Sequence, residues 1–200
     1  MDKDTRNRIQ RATQAARRLL EEELSEQLGG VYDIREDGKV AAQAGAHLME
    51  DGHALKVREK LVAAVQHHRD QGLSAVEAVA ALQRECAFTT LNRFVALKML
   101  EARGIVQECV SRGAQSGGFR EFCGLAPGLS ALADQGYRLY IDSVFDEIGR
   151  EVRVLFDRRD PASLLWPRRP ALDGLLEVLN DVELAEVWGE DETIGWVYQY

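Results

Sequence analysis

Apolar residues recur at steps of three and four over the first thirty positions, and Arg, Lys and Glu fill most of the positions between them. The apolar set is Ile9, Ala12, Ala16, Leu19, Leu20, Leu24 and Leu28. This spacing places apolar side chains along one face of a helix. It predicts a long amphipathic helix that ends at the glycine pair Gly29 and Gly30.

The next segment, residues 31–40, holds two short strand-like runs on either side of Asp37 and Gly38. This dipeptide favours a tight turn, so a small β-hairpin is predicted. Asp33, Asp37 and Lys39 superficially resemble the carboxylates and lysine of a metal-dependent nuclease. Only three residues separate the two carboxylates, and both fall around a turn, so the pattern favours an exposed turn over a nuclease site.

Helical spacing resumes after this segment. One helix is predicted to run from Ala54 to the terminating Gly72, with two histidines in its last turn, and Ser74 with Glu77 forms a capping box for a second, short helix. Either Thr at positions 89–90 is predicted to cap a separate third helix.

That third helix is predicted to end at Gly104, after which the periodicity disappears. Several glycines and one proline predict an extended surface loop with at most one short helix over 111–130. Helical spacing returns at Tyr137 and is predicted to continue through Val152 to Phe156. A proline-punctuated connection follows.

A helix is predicted to begin at Pro170. An acidic helix up to Trp188 and a last helix capped by Asp191 complete the chain. The apolar residues of this last helix continue to the final position: Ile194, Trp196, Val197, Tyr198 and Tyr200. We interpret them as a surface that a following domain would cover, and in the isolated chain they predict an apolar patch around Trp196 that favours self-association.

These elements together predict a mainly α-helical fold: a multi-helix, bundle-like domain with one small β-hairpin near residues 31–40. The whole chain, residues 1–200, is interpreted as one helical accessory domain. A subdivision into 1–110 and 136–200 is predicted around the glycine-rich loop.

The composition and the charge distribution reduce the number of functions that are compatible with this sequence. The 200 residues are 46% hydrophobic and 29% charged, which is typical of a globular chain. The net charge is −8, and the last thirty residues hold eight Asp or Glu and no Lys or Arg, so the remainder is neutral. This distribution argues against a free-standing, high-affinity DNA-binding domain, although it is compatible with local basic patches.

No run approaches the roughly 20 apolar residues of a membrane span, and the basic N-terminus is unlike a secretory signal. The odd number of cysteines, Cys86, Cys109 and Cys123, argues against a disulfide framework or a paired zinc knuckle. A cytoplasmic protein without a membrane partner is therefore predicted, with its cysteines as buried hydrophobic residues.

Motifs for catalysis are absent from the sequence: it has no glycine-rich nucleotide loop, no nucleophile elbow and no His-Glu-x-x-His pair. We therefore assign no catalytic, cofactor-binding or metal-binding residue. A net positive stretch runs through and beside the glycine-rich loop, where guanidinium groups and backbone amides could contact phosphates. The candidate DNA-binding residues are Arg93, Lys98, Arg112 and Arg120. The alternative is an ordinary solvated loop.

Four strings of the sequence resemble one known family. They are AFTTLNRFVALKMLEARG, SGGF, VLFDRRDPASLLWP and DETIGWVYQY. From about Leu19 to Tyr200, the chain is similar to the N-terminal region of the large adenine-specific DNA methyltransferases of bacterial BREX phage-defence systems, the PglX type. The resemblance implies a parent enzyme that transfers a methyl group from S-adenosylmethionine to an adenine flipped out of the duplex.

In that family the cofactor-binding and catalytic motifs lie downstream of the matched stretch. The resemblance therefore implies a non-catalytic helical domain that packs on the methyltransferase domain and helps to position duplex DNA or partner defence proteins. An alternative remains open, namely a protein–protein interaction module with no direct DNA contact. Such a module would use its acidic C-terminal third and the aromatic residues Trp188, Trp196 and Tyr198, which are expected to be exposed.

Overall fold

The computed structural model describes residues 2–132, 134–150 and 153–199, and these are mainly helical, as predicted. The α-helices are α1 Lys3–Gly30, α2 Ala46–Met49, α3 Gly52–Asp70, α4 Ala75–Ala102, α5 Gly117–Leu125, α6 Asp134–Ile148, α7 Arg153–Phe156, α8 Arg169–Leu179 and α9 Thr193–Gln199. Short 3-10 turns lie at Gly113–Gln115, Pro127–Leu132, Pro161–Ser163, Val182–Leu184 and Val187–Gly189.

The chain divides into two compact units. The first unit contains residues 1–19, 91–158 and 168–200, and the second contains residues 20–90 and 159–167. This division differs from the subdivision predicted around the glycine-rich loop. Two of the boundaries fall inside uninterrupted helices, between Leu19 and Leu20 of α1 and between Thr90 and Leu91 of α4, and the other two enclose residues 159–167.

Helix α1 confirms the predicted amphipathic pattern. Ile9, Ala16, Leu20, Leu24 and Leu28 are all buried, and the helix ends at the glycine pair, as expected.

Helix α4 begins as predicted and then continues further than predicted. The Ser74 hydroxyl accepts the Glu77 N–H, and the Glu77 carboxylate accepts the Ser74 N–H at 2.9 Å, which completes the capping box. The predicted break at Thr89 or Thr90 is wrong, because the helix runs unbroken to residue 102. Threonine costs less than about 0.7 kcal/mol inside a helix, and Thr90 is buried, so packing outweighs the local preference. The helix ends beside Gly104, which has a positive φ of 67°.

The predicted hairpin is a tight turn closed by a single antiparallel bridge between Ile34 and Val40. Gly38 adopts a φ of +81°, and a Cβ at that position would lie 2.7 Å from Ala75, so only glycine fits. The Arg58 side chain of α3 fastens this segment by donating to the carbonyl oxygens of Tyr32 at 2.9 Å and Ala41 at 2.5 Å.

Residues 111–130 contain one short helix, α5, as the prediction allowed, but the extended loop predicted for the rest is wrong, because 3-10 turns occupy Gly113–Gln115 and Pro127–Leu132. At the start of α5, the Ser116 hydroxyl accepts the Phe119 N–H, and the Glu108 carboxylate, from outside the helix, accepts the Gly117 N–H. The Phe119 ring is buried against Tyr137 in an edge-to-face contact with centroids 5.9 Å apart. Capping and a buried aromatic ring therefore compensate for the low helix propensity of the glycines.

The segment from residue 134 to residue 189 differs from the prediction in three details. The helix predicted to continue to Phe156 is two helices, because α6 ends at Ile148 and α7 is separate and short. Val152, a predicted apolar position of that helix, lies outside the described residues. Helix α8 begins one residue before Pro170, at Arg169. The predicted acidic helix consists of two 3-10 turns.

The last described helix, α9, buries part of its apolar surface within the first unit. Val197 is buried, so the expectation that the terminal apolar residues await an external cover is wrong for this residue. Trp196 is half-buried, with the Arg6 guanidinium 5.1 Å from the ring centroid. Tyr198 remains 48% exposed. Tyr200 lies outside the described residues.

Candidate nucleic-acid interface

The four basic residues predicted to contact DNA all belong to the first unit, but they fall into two pairs with different surroundings. Arg93 and Lys98 lie on α4 and are buried. Arg112 precedes α5, Arg120 lies within it, and both are exposed. Only the second pair can reach a phosphate at the surface.

Arg93 uses its guanidinium to hold a neighbouring segment of main chain. Its Nε donates to the carbonyl oxygen of Leu155 at 2.7 Å, and its Nη2 donates to that of Asp157 at 2.9 Å. The guanidinium carbon also lies 5.5 Å from the centroid of the Phe145 ring. This cation therefore holds the backbone at the end of α7 and at the residue that follows it.

Lys98 lies five residues further along α4, in a buried polar cluster. Its ammonium donates to the Ser111 hydroxyl at 2.5 Å and to Oδ1 of Asn180 at 2.7 Å, and it lies 3.7 Å from the Glu101 carboxylate. All three partners belong to the protein, so this charge is neutralised internally.

The Glu101 carboxylate is the acceptor at the centre of this cluster. It accepts backbone N–H groups from Cys109 at 2.7 Å, Val110 at 2.6 Å and Ser111 at 3.2 Å, as well as the Ser111 hydroxyl. Burial alone would raise the pKa of Glu101, but the hydrogen bonds from Ser111 and the three N–H groups outweigh it and hold the pKa below its usual range.

Further hydrogen bonds hold the backbone of residues 109–111 in place. The buried Tyr137 hydroxyl donates to the carbonyl oxygen of Cys109 at 2.7 Å, and the Asn180 amide donates to that of Val110 at 3.0 Å. Burial, followed by the nearby Glu101 charge, raises the pKa of the Cys109 thiol to about 12. This thiol is therefore a packed, unreactive group.

Glu108 lies at the N-terminus of α5 and organises the exposed pair of arginines. Its carboxylate accepts two hydrogen bonds from Arg112, from Nε at 2.6 Å and from Nη2 at 2.5 Å, and a third from the Gly117 N–H at 2.7 Å. The Arg112 guanidinium, together with the Gly117 N–H and the more distant charge of Arg120, lowers the pKa of Glu108 to about 2. The carboxylate is therefore charged throughout the physiological range.

Helix α5 presents Arg120 beside this ion pair. Its guanidinium donates to the carbonyl oxygen of Gln115 at 2.9 Å and remains exposed. Gly118 lets the helix approach α6 closely, because a Cβ there would lie 2.0 Å from the Tyr140 hydroxyl and 2.8 Å from the Glu108 carbonyl oxygen. The result is a fixed surface element with two exposed guanidinium groups close to one carboxylate.

In the part of the chain that the structure describes, the side chains form no cluster suited to metal binding or thiol chemistry. No group of three or more His, Cys, Asp or Glu side chains there could hold a metal ion. Cys86 and Cys109 are buried, as predicted, whereas Cys123 is partly exposed. Within the same residues, no helix combines the length and apolar character that crossing a membrane requires.

Sequence reasoning did not identify Glu101, Glu108 and Asn180 as organising residues. Glu101 follows Lys98 by three positions, and Glu108 precedes Arg112 by four, so both pairs have a spacing that brings charges together on a helix. That signal was available in the sequence. The contact of Asn180 with Lys98 joins positions far apart in the chain, which no local pattern indicates.

Comparisons with known proteins identify no relative. The chain matches no family model, no curated protein and no solved structure.

Proposed function

We propose that this chain is the non-catalytic N-terminal helical part of an adenine-specific DNA methyltransferase of the BREX type, and that it helps to position duplex DNA. The proposal places S-adenosylmethionine and the catalytic groups in the rest of the parent enzyme, which would act in the cytoplasm. It starts from the four strings that resemble that family.

One observation carries the proposal: three of the four strings are joined to one another by side chains of α4. Arg93 holds the main chain at Leu155 and Asp157, within the string VLFDRRDPASLLWP. Arg103 donates to the Asp191 carboxylate at 2.7 Å, at the start of the string DETIGWVYQY. These residues therefore have a shared structural role, as expected for a domain that supplies shape and leaves the chemistry to another domain.

A contact with DNA would use the exposed pair Arg112 and Arg120. Guanidinium groups bind phosphate oxygens without reading the base sequence. Arg112, whose Nε and Nη2 already donate to Glu108, would use its Nη1, whereas Arg120 donates to the Gln115 carbonyl oxygen from Nη2 alone. The neighbouring Glu108 carboxylate limits the net charge of this surface, which agrees with a role in orientation more than in affinity. Arg93 and Lys98 contribute by keeping residues 155–157 and 109–111 in place.

Binding of the chain to a fluorescent DNA duplex, measured by anisotropy at increasing salt, tests the DNA contact. We expect binding that weakens steeply between about 50 mM and about 200 mM salt. Replacing both exposed arginines by alanine removes two phosphate contacts, so the slope of log K against log salt becomes shallower by about 2. The matched control is Arg69→Ala with Arg84→Ala, two exposed arginines of the second unit. An equal effect in the control would contradict the assignment.

Expression of the complete reading frame in cells that lack adenine methylation tests the parent activity. Mapping of N6-methyladenine in the DNA of those cells should show a defined methylated site. Deletion of residues 1–200 should abolish or redistribute that methylation. A full-length product that never methylates adenine would overturn the proposal.

An interaction module without DNA contact is the second candidate. It is favoured by the exposed acidic residues of the segment 181–192 and by the apolar side chains of Val182 and Tyr198, which are 85% and 48% exposed. Trp188 does not contribute to it, because this side chain is buried and the predicted exposure is wrong. The absence of DNA binding at low salt would favour this candidate.

Self-association through the surface around Trp196 stays a prediction, which sedimentation of wild type and Tyr198→Ser would test.

A further inference from the structure

A small internal cavity of about 10 Å³ lies within the first unit and shares no residue with the surface around α5. Its walls are side chains of α1, α4, α8, α9 and the 3-10 turns at Val182–Leu184 and Val187–Gly189. All but one of the residues that line it, Ala12, are buried. A volume of this size is about what one water molecule requires, and it is too small for an organic ligand. The cavity can therefore hold only one very small molecule.

Two of the residues that line the cavity have polar side chains, Thr13 of α1 and Trp188 of the turn Val187–Gly189. Trp188 is only 3% exposed, yet among the described residues no atom accepts a hydrogen bond from its indole Nε1–H. A buried donor without an acceptor lowers the stability of the fold, so native proteins pair almost all such groups. The indole N–H therefore indicates an acceptor that the described chain does not itself supply.

Thr13 supplies a second polar group to the same cavity. It is 4% exposed, and its hydroxyl has one proton to donate and two lone pairs that accept. In a helix, a threonine hydroxyl commonly donates its proton to a carbonyl oxygen of the preceding turn. Even then, the hydroxyl can accept a hydrogen bond from a molecule in the cavity.

The chemistry of these two groups favours water over other small molecules. A water oxygen accepts the indole proton, and a water proton is donated to the Thr13 hydroxyl, so the water has the two polar partners that a buried water needs at the least. An apolar occupant would leave the indole proton unpaired. An ion would lose its hydration among side chains that are otherwise apolar.

We propose that this cavity binds one water molecule, which bridges the Trp188 indole N–H and the Thr13 hydroxyl. The bridge joins α1 to the turn that precedes α9. The Arg8 side chain of α1 donates to the carbonyl oxygen of Glu183 at 3.2 Å, so a direct hydrogen bond holds α1 to the same C-terminal segment at another point. The water therefore helps to position this segment, and the site is independent of the DNA contact proposed above.

Water-selective ¹H–¹⁵N NMR spectra of the whole chain test this site. The sequence has 3 tryptophans, and the indole N–H signal that Trp188→Phe removes is that of Trp188. We expect an NOE between this indole proton and water, with the sign opposite to that of the ROE, because a bound water tumbles with the protein. Absence of this NOE from the wild-type spectrum would overturn the proposal, and this measurement needs no variant that might fail to fold.

Two substitutions of Thr13 test the second partner of the water. Thr13→Val keeps the shape of the side chain without the hydroxyl, so the water should be lost, the NOE should disappear and the indole proton should move upfield. Thr13→Ser is the matched control, because it keeps the hydroxyl and should keep the NOE. An indole proton with the same shift and the same NOE in Thr13→Val as in wild type would overturn the bridge.

A third variant separates the water from the Thr13 hydroxyl as the source of the NOE. Val197→Ile keeps the hydroxyl and adds one methylene group at the wall of the cavity, so it should displace the water and remove the NOE. An NOE that persists in this variant would come from the hydroxyl proton and would overturn the proposal. The control is Val65→Ile, at a buried valine of the second unit, which should leave the NOE unchanged.

Discussion

The Glu101 carboxylate accepts a hydrogen bond from the backbone N–H of Val110 at 2.6 Å. This contact makes the end of α4 the anchor for the chain that leads towards α5. Because the neighbouring N–H groups of Cys109 and Ser111 point to the same carboxylate, one side chain satisfies three main-chain donors that would otherwise be buried without partners.

Stability should depend on pH through Glu101. Its pKa lies below the usual 4.5 in the folded chain, so near pH 4.5 the unfolded chain binds more protons than the folded one. The contribution to the free energy of unfolding is thus complete above that value and is lost as the pH falls through the folded pKa. Urea unfolding from neutral pH down to about pH 3 measures this loss.

The variant Glu101→Gln isolates this effect. It should lower the free energy of unfolding by about 2 kcal/mol at neutral pH, because it replaces charged hydrogen bonds by neutral ones. It should also flatten the fall below pH 4.5. The control is Glu59→Gln, an exposed glutamate of α3, which should match wild type at every pH. If Glu101→Gln kept the full pH dependence, the assigned role of this carboxylate would be wrong.

Arg93→Ala should be among the most destabilising arginine substitutions. It leaves the carbonyl oxygens of Leu155 and Asp157 without their donor and opens space beside Phe145. We expect a loss of about 3 kcal/mol in the free energy of unfolding, measured with urea. Arg84→Ala, an exposed position on the same helix, should change it by less than about 0.5 kcal/mol. Comparable losses would show that the two main-chain bonds contribute little.

Two glycines of α5 should respond in opposite ways to alanine. Gly118→Ala places a methyl group 2.0 Å from the Tyr140 hydroxyl and 2.8 Å from a backbone oxygen, so we expect a loss of about 1 to 3 kcal/mol. No neighbouring atom lies within 4 Å of a Cβ at Gly124, so Gly124→Ala should gain up to about 1 kcal/mol from helix propensity. Thermal unfolding of both variants measures the difference. Equal shifts would mean that α5 does not pack against α6 as described.

Thiol labelling should distinguish the three cysteines. Burial raises the pKa of both Cys86 and Cys109 to about 12, so neither forms a thiolate near pH 8 while the chain is folded. Ellman's reagent should therefore react quickly with one thiol, the partly exposed Cys123. All three should react in denaturant, and Cys123→Ser should remove the fast phase. Rapid reaction of a second thiol in the native chain would contradict the packing around residues 86 or 109.

The sequence predicted those elements whose signal is local. The capping box at Ser74 and Glu77, the glycine end of α1 and the termination beside Gly104 were all confirmed, since each depends on a few adjacent residues. The mainly helical fold was also confirmed, and it was predicted from the spacing of apolar residues along the chain. These signals act within one or two helical turns, where the sequence is sufficient.

The errors arose where distant residues decide the outcome. Glycines in the segment 111–130 indicate a loop when the sequence is considered alone, but Glu108 and the buried ring of Phe119 make it helical. A basic surface is predicted around Arg93 and Lys98, yet both side chains are buried, and each has a partner more than sixty residues away, Leu155 for Arg93 and Asn180 for Lys98. Local periodicity contains no information about such partners.

The fastening of residues 32–41 by Arg58 has a consequence for the dynamics of the second unit. This segment has no regular secondary structure beyond one bridge, but its two ends are hydrogen-bonded to one guanidinium group, and its tip rests against Ala75. Its backbone amides should therefore exchange with deuterated solvent as slowly as those of a helix, and a protease should find this irregular stretch a poor substrate.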